Sequence, residues 1–237
     1  YLMTWAEGVA IAAKVLRDPR LEQARAHLPQ QLAAALATIH RVVPDRAPEF
    51  RPASPQSTTG SDAIDASLRF TRHNLDTLPD AYPALEIGFR WLSDHRPEDR
   101  AAHLVHGDFR MGNFLVTPEG LGAVLDWEFA HWGSPAADLG WLFVRDWRFG
   151  RLDKAAGGLV DRATFLAAYA AAGGQPVTPE EVHWWEILGN LRWAAGAAHQ
   201  TQRVLSGAEA DLELLVIGRR ACEMAYEALR LIDLGAR

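Results

Sequence analysis

A single cysteine among 237 residues, Cys222, excludes an internal disulfide framework and any thiolate metal cluster. It falls on the apolar side of the last expected helix, where a free thiol is expected to be buried and inert. The chain has no apolar run of about 18 residues and no signal peptide, so a helical membrane span is excluded and a cytoplasmic location is expected. Basic residues are not in excess: 24 Lys and Arg stand against 30 Asp and Glu, for a formal charge of -6. With no basic stripe, nucleic acid is not an expected partner. Internal repeats are absent as well. What is present, 49% hydrophobic and 23% charged residues, suffices to bury a substantial core.

The informative stretch runs from His106 to Glu128. It reads His-Gly-Asp-Phe-Arg-Met-Gly-Asn, then Phe114-Leu115-Val116, the turn Thr117-Pro118-Glu119-Gly120, Ala123-Val124-Leu125, and Asp126-Trp127-Glu128. Two short apolar runs around a Pro- and Gly-containing turn predict a β-hairpin. Folding back there brings Asn113 and Asp126 to one end, where two oxygen donors can share an ion. A carboxylate in the preceding loop (Asp108), an amide and a second carboxylate form the set that phosphoryl transfer needs. One acid orients the attacking hydroxyl and accepts its proton, and the other two groups hold magnesium against the phosphates.

These motifs resemble the catalytic core of the aminoglycoside-phosphotransferase-like kinases. Their wording is most similar to the kinase-like domains fused to some acyl-CoA dehydrogenases and to free-standing bacterial relatives. The resemblance implies an α+β, protein-kinase-like fold: a mostly helical C-terminal lobe with a small catalytic β-hairpin. It implies Asp108 as catalytic base, and Asn113 and Asp126 as ligands of Mg2+ bound with ATP. Residues 1–8 resemble the hinge, whose backbone at Thr4 and Ala6 would meet the adenine edge, with Leu115 as the apolar floor beneath it. No glycine-rich phosphate loop or strand lysine precedes them. Residues 1–8 are therefore expected to be the hinge from an absent N-terminal lobe, and residues 9–237 the C-terminal catalytic lobe. His106 is expected to pack under the metal loop. Asp138 is expected to be a buried acceptor for catalytic-loop amides.

Arg110 stands between base and amide, suited to neutralise a phosphate or an anionic substrate. Glu128 either adds a carboxylate near the metals or pairs with Arg110. The expected activity is transfer of the γ-phosphoryl group of ATP to a hydroxyl of a small molecule. A hydroxylated acyl compound is favoured as acceptor, with an aminoglycoside or amino sugar as the alternative, and a non-catalytic pseudokinase-like module as the competing class. Candidate acceptor segments are mixed in charge: Asp62, Asp65, Asp76, Asp80 and Glu86 alternate with Arg69, Arg72, His73 and Arg90. Nine tryptophans are expected to serve packing, although Trp132, Trp141, Trp147, Trp184, Trp185 and Trp193 could line an apolar acceptor pocket.

Helix signals surround this core. Asp18-Pro19 caps a helix carrying Leu32, Leu36, Ile39 and Val43, and the Pro-rich stretch from Pro44 to Gly60 reads as a loop. Helices are expected from Ser61 to about Leu78, from Pro83 to near His95, and from Ser134-Pro135. Thr178-Pro-Glu-Glu181 and Ser206-Gly-Ala-Glu209 each read as a capping box opening a long final helix.

Overall fold

The computed structural model describes residues 5–52, 54, 62–98 and 100–236. Helices α1 (Ala12–Arg17), α2 (Glu22–Ile39), α3 (Ala63–Asp76) and α4 (Pro83–Asp94) come first. Four short strands follow: β1 (His103–Val105), β2 (Phe114–Thr117), β3 (Gly120–Val124) and β4 (His131–Gly133). The chain ends in α5 (Pro135–Leu142), α6 (Arg162–Ala171), α7 (Pro179–Leu205), α8 (Leu212–Ile217) and α9 (Arg220–Leu234). This is the helical lobe with a catalytic hairpin that the motifs imply.

The long helix α7 is the axis of the lobe, with α3, α4, α5, α8 and α9 packed around it. From Val182 to Ala198 its apolar residues are buried on every side, the pattern of a helix enclosed by others. Thr178 caps it by accepting from the Glu181 amide at 3.2 Å. Five of the six tryptophans flagged as alternative pocket residues are buried, at 1–7% exposure, and Trp193 packs half-buried against them. Packing is therefore their main work. α5 lies so close to α7 that a Cβ on Gly140 would come 2.6 Å from the Trp185 carbonyl carbon. Only a residue without a side chain allows that approach.

Buried charge also pins the lobe. Glu186 on α7 accepts from Arg148 at 2.8 Å and from Arg162. Glu227 on α9 faces Arg145, Arg148 and Arg230 at 3.3, 3.3 and 2.8 Å. Each buried carboxylate thus meets several guanidiniums, the arrangement that makes such burial tolerable.

The sheets are small and position the loop. β1 pairs antiparallel with β4, placing Val105 opposite His131. β2 and β3 form the expected hairpin, with Phe114 opposite Val124 and a bulge after Leu115. The Gln31 side chain on α2 accepts from the Leu121 amide at 2.8 Å and holds the hairpin to the helical body. On the other edge Val9 exchanges both backbone hydrogen bonds with Val116, so the segment leading into α1 runs alongside β2.

Two expectations need correction, and a third gains detail. Ser206-Gly-Ala-Glu209 opens no helix: Ser206 ends α7, Asp211 caps α8 through the Glu213 amide, and α9 begins only at Arg220. Gly207 has φ 78°, a helix-terminating conformation that the box pattern does not reveal. Cys222 is exposed rather than buried, because α9 turns Ala221, Met224, Ala225 and Ala228 inward. Finally, much of the mixed charge on α3 and α4 is spent locally, in Arg72–Glu86, Arg72–Asp76, Arg90–Asp94 and Arg96–Asp65 pairs.

Candidate active site

The site is built where β1 ends and the loop 106–113 begins. At Gly107 φ is 79°, and a Cβ there would lie 2.3 Å from the Phe129 carbonyl oxygen. The loop can turn here only with glycine. Asp138, on the first turn of α5, accepts from the His106 amide at 2.7 Å and the Gly107 amide at 2.8 Å. That is the supporting role expected of it. Burial by itself would raise its carboxyl, but hydrogen bonding from His40 and from the His106 amide, with the nearby imidazoles, holds it below the ordinary value. His40 lies 3.1 Å from Asp138 through Nε2 and 2.7 Å from the Tyr169 hydroxyl through Nδ1. Burial pushes that phenol up to about 12. A neutral Tyr169 donating to Nδ1 leaves Nε2–H to donate to Asp138.

His106 packs beneath the loop as expected. Its Nδ1 accepts from the Asp108 amide at 3.2 Å, and its Nε2 lies 2.9 Å from the Leu125 carbonyl. One imidazole thereby ties the loop carrying Asp108 to the residue before Asp126.

Asp108 is buried at 6% exposure and ringed by donors. Trp141 Nε1–H donates to Oδ1 at 2.7 Å, Asn113 Nδ2 donates to Oδ2 at 2.7 Å, and Arg110 Nε bridges both oxygens at 3.0 and 3.2 Å. A carboxylate offers about four lone-pair sites; Trp141 and Arg110 meet Oδ1, and Asn113 and Arg110 meet Oδ2, so a further donor enters only where the bridging Arg110 Nε settles on one oxygen. With its amide nitrogen committed to Asp108, Asn113 keeps Oδ1 for another partner. Its backbone carbonyl accepts from Leu125 N at 2.8 Å, which sets Asn113 beside the residue preceding Asp126. Asp126 is exposed and adopts φ 66°, ψ 63°. For a residue with a side chain that conformation is uncommon, and it is retained where surrounding structure enforces it. Two hard oxygen donors at one hairpin end suit a magnesium ion.

Leu115 is nearly buried and packs against Gly8, where a Cβ would come 2.7 Å from its Cγ. The proposed adenine floor therefore abuts the strand-like segment holding Ala6, which is exposed; Thr4 lies outside the described residues. Glu128 is exposed and does not take Arg110, whose partner is Asp108. The charge pair forms inside the loop because two residues of spacing suffice for it.

Sequence reading missed two groups. Trp141 is expected to serve packing or an apolar acceptor pocket, yet it is the indole donor to Asp108. Arg192 on α7 donates to the Gly107 carbonyl at 3.2 Å and stacks 4.5 Å over Trp141. Burial lowers its guanidinium, against the pull of Asp108 and Asp138. Trp141 follows Asp138 by three residues, one helical turn, and that spacing was the available signal. Arg192 had none, since its placement depends on how α7 packs.

Residues 1–185 match the family model described as APH, phosphotransferase enzyme family. The chain belongs to this phosphotransferase family. Among solved structures, a candidate aminoglycoside phosphotransferase from Ralstonia eutropha JMP134 is similar with a TM-score of 0.77 and 21% identity, over 99% of this chain and 72% of that one. The GDP and kanamycin complex of APH(2'')-IIIa gives 0.62 and 14%, over 95% and 69%. Choline kinase LicA from Streptococcus pneumoniae gives 0.51 and 18%, over 94% and 67%. At these identities the likeness establishes the kinase-like fold. Acyl-CoA dehydrogenase family member 10 of Mus musculus is 46% identical over 59 residues, 24% of this chain and 6% of that protein. Family member 11 of Homo sapiens is 40% identical over 60 residues, 24% and 8%. The matches thus span a small part of those curated relatives. Among the described residues no helix is long and apolar enough to cross a membrane.

Proposed function

We propose that this chain is the catalytic lobe of an ATP- and Mg2+-dependent kinase that phosphorylates a hydroxyl of a small molecule. The observation that carries the reading is the donor ring that fixes the buried Asp108 carboxylate beside Asn113 and the end of the hairpin. In this reading residues 1–8 are the hinge, with Thr4 and Ala6 at the adenine edge and Leu115 beneath it. Asn113 and Asp126 would hold the magnesium, which would neutralise charge on the phosphates.

Asp108 accepts a hydrogen bond from the acceptor hydroxyl and aims its oxygen at the γ-phosphorus. As that oxygen forms its bond to phosphorus, the bond to the bridging β,γ-oxygen breaks and the hydroxyl proton passes to Asp108. Trp141, Asn113 and Arg110 keep the carboxylate from rotating, so its contribution is largely one of position. Asp138, through the amides of His106 and Gly107, holds the loop to α5. The short matches to acyl-CoA dehydrogenase family members support a hydroxylated acyl compound as acceptor over an aminoglycoside or amino sugar.

Asp108→Asn and Asp126→Asn in the full encoded protein test this. Loss of a positioned base should lower turnover by about 10²- to 10⁴-fold and leave nucleotide affinity nearly unchanged. Asp126→Asn should weaken magnesium–nucleotide binding together with turnover. Small, equal effects of the two substitutions would favour the non-catalytic module.

A further inference from the structure

Gly107 immediately precedes Asp108, and its two freely turning torsions set where that side chain starts. The peptide planes on both sides of it are held by side chains. Before it, the Gly107 N–H donates to Asp138 at 2.8 Å. After it, the peptide joining Gly107 to Asp108 is held at both ends. Its carbonyl accepts from Arg192 at 3.2 Å, and its N–H donates to His106 Nδ1 at 3.2 Å. Of these supports, only Arg192 comes from α7.

Arg192 also reaches the side chain of Asp108, at one remove. Its guanidinium lies 4.5 Å over the Trp141 ring and 5.9 Å from the centre of the Phe70 ring on α3. Trp141 Nε1–H in turn donates to Asp108 Oδ1 at 2.7 Å. A planar guanidinium can donate in its plane while its face rests on an indole, so one group braces backbone and carboxylate together. Packing alone gives it little reason to be charged. The arginines that pin the lobe, Arg148 and Arg162, meet the Glu186 carboxylate, whereas Arg192 has no ion pair among the described residues. Burial lowers its guanidinium, and a part-buried cation without such a partner contributes little to stability. Beside it a void of about 20 Å³, bordered by Ser67, Gly107, His131, Asp138 and Arg192, has room for one water.

Building on the kinase reading, we propose that Arg192 is a positioning residue for the transfer. It fixes the Gly107–Asp108 peptide and the Trp141 ring, and through them the direction of the Asp108 carboxylate. Among the described residues it makes no hydrogen bond to that carboxylate, to Asn113 or to Asp126. Its loss therefore acts on the aim of the carboxylate and leaves the residues assigned to magnesium and nucleotide in place.

Arg192→Met and Arg192→Lys in the full encoded protein test the inference. Met keeps an apolar stem on Trp141 and removes the donor, and water entering the void would satisfy the carbonyl without fixing it. In Arg192→Met kcat should fall by about 10- to 100-fold, the scale expected for a misplaced reacting group, with KM for nucleotide nearly unchanged. The urea midpoint should stay close to that of the wild type. Arg192→Lys supplies a donor without the flat face and should recover part of the kcat. In proton–nitrogen NMR spectra the Trp141 indole N–H, identified by its disappearance in Trp141→Phe, should exchange with solvent faster in both variants. Unaltered kcat or unaltered indole exchange in Arg192→Met would overturn the proposal, and so would a fall in kcat matched by a fall in folded protein. If Arg192→Met does not fold, Arg192→Lys carries the same two readouts. Indole exchange needs no turnover, so faster exchange in a protein that transfers nothing would fault the kinase reading alone. Transfer that persists unaltered in Arg192→Met would fault this proposal alone.

Discussion

At the scale of single residues, the site depends on a carboxylate whose neighbours are all donors. Trp141 is the most exacting of these, since its indole hydrogen bond to Asp108 is short, buried and comes from a rigid helix. Trp141→Phe keeps most of the ring volume and removes the N–H. A charge-assisted hydrogen bond contributes about 1.5–3 kcal/mol, so kcat should fall at least tenfold, while KM for nucleotide changes little. Steady-state kinetics on the encoded protein would measure this, and an unchanged kcat would reduce Trp141 to packing. Asp138 makes a different demand. Asn offers one acceptor oxygen where the carboxylate serves the amides of both His106 and Gly107. Asp138→Asn should therefore orphan a buried amide and cost about 1–3 kcal/mol, visible as a lower urea midpoint.

At the scale of elements, the close approach of α5 and α7 decides where both Asp138 and Trp141 point. Gly140→Ala places a methyl group against the backbone of Trp185 and Glu186, 2.6–2.7 Å from the nearest atoms. Backbone cannot swing aside as a side chain can, so the helices must separate. Overpacking of this kind costs about 1–3 kcal/mol, and the shift would be carried to the base through Trp141. Chemical denaturation should show the loss of stability, with a larger loss of activity than stability alone explains. Gly150, with nothing within 4 Å of its would-be Cβ, has φ 88° and would report backbone strain without the clash.

At the scale of the whole molecule, acid should unfold the lobe in two stages. Burial lowers His131 and His183 below their ordinary value of 6.5. The unfolded chain therefore takes up protons that the folded chain refuses. Their contribution is fully present above that value and is lost as pH falls through it toward the folded values. Asp138, also depressed, acts the same way below 3.8. Glu181, raised by burial, works in the opposite sense above its ordinary 4.5, regaining stability as pH falls between the two stages. Urea midpoints measured from pH 8 to pH 3 should decline first near 6.5, and His131→Asn should flatten that first decline. A midpoint independent of pH between 8 and 5 would contradict the buried, neutral histidines.

Local information was enough to read much of this molecule. Turn residues between short apolar runs marked the hairpin, and caps at Ser134 and Thr178 marked α5 and α7, because those signals act within a few residues. The spacing of Asp108, Asn113 and Asp126 placed the candidate site, since a two-stranded hairpin returns the chain to where it started. The false box at Ser206 failed for the same local reason: a capping pattern can sit just past a helix end, where Gly207 reverses the chain. Cys222 was misjudged, and the pairing alternative for Glu128 set aside, because helix rotation and partner choice depend on what lies across a packed interface. The place of Arg192 against Gly107, the His40–Tyr169 support of Asp138 and the stacking of Arg110 over Trp147 join residues from separate helices and loops. The packing of α7 on α5 sets the first and that of α2 on α6 the second, and no pattern along the chain records a contact made across a core.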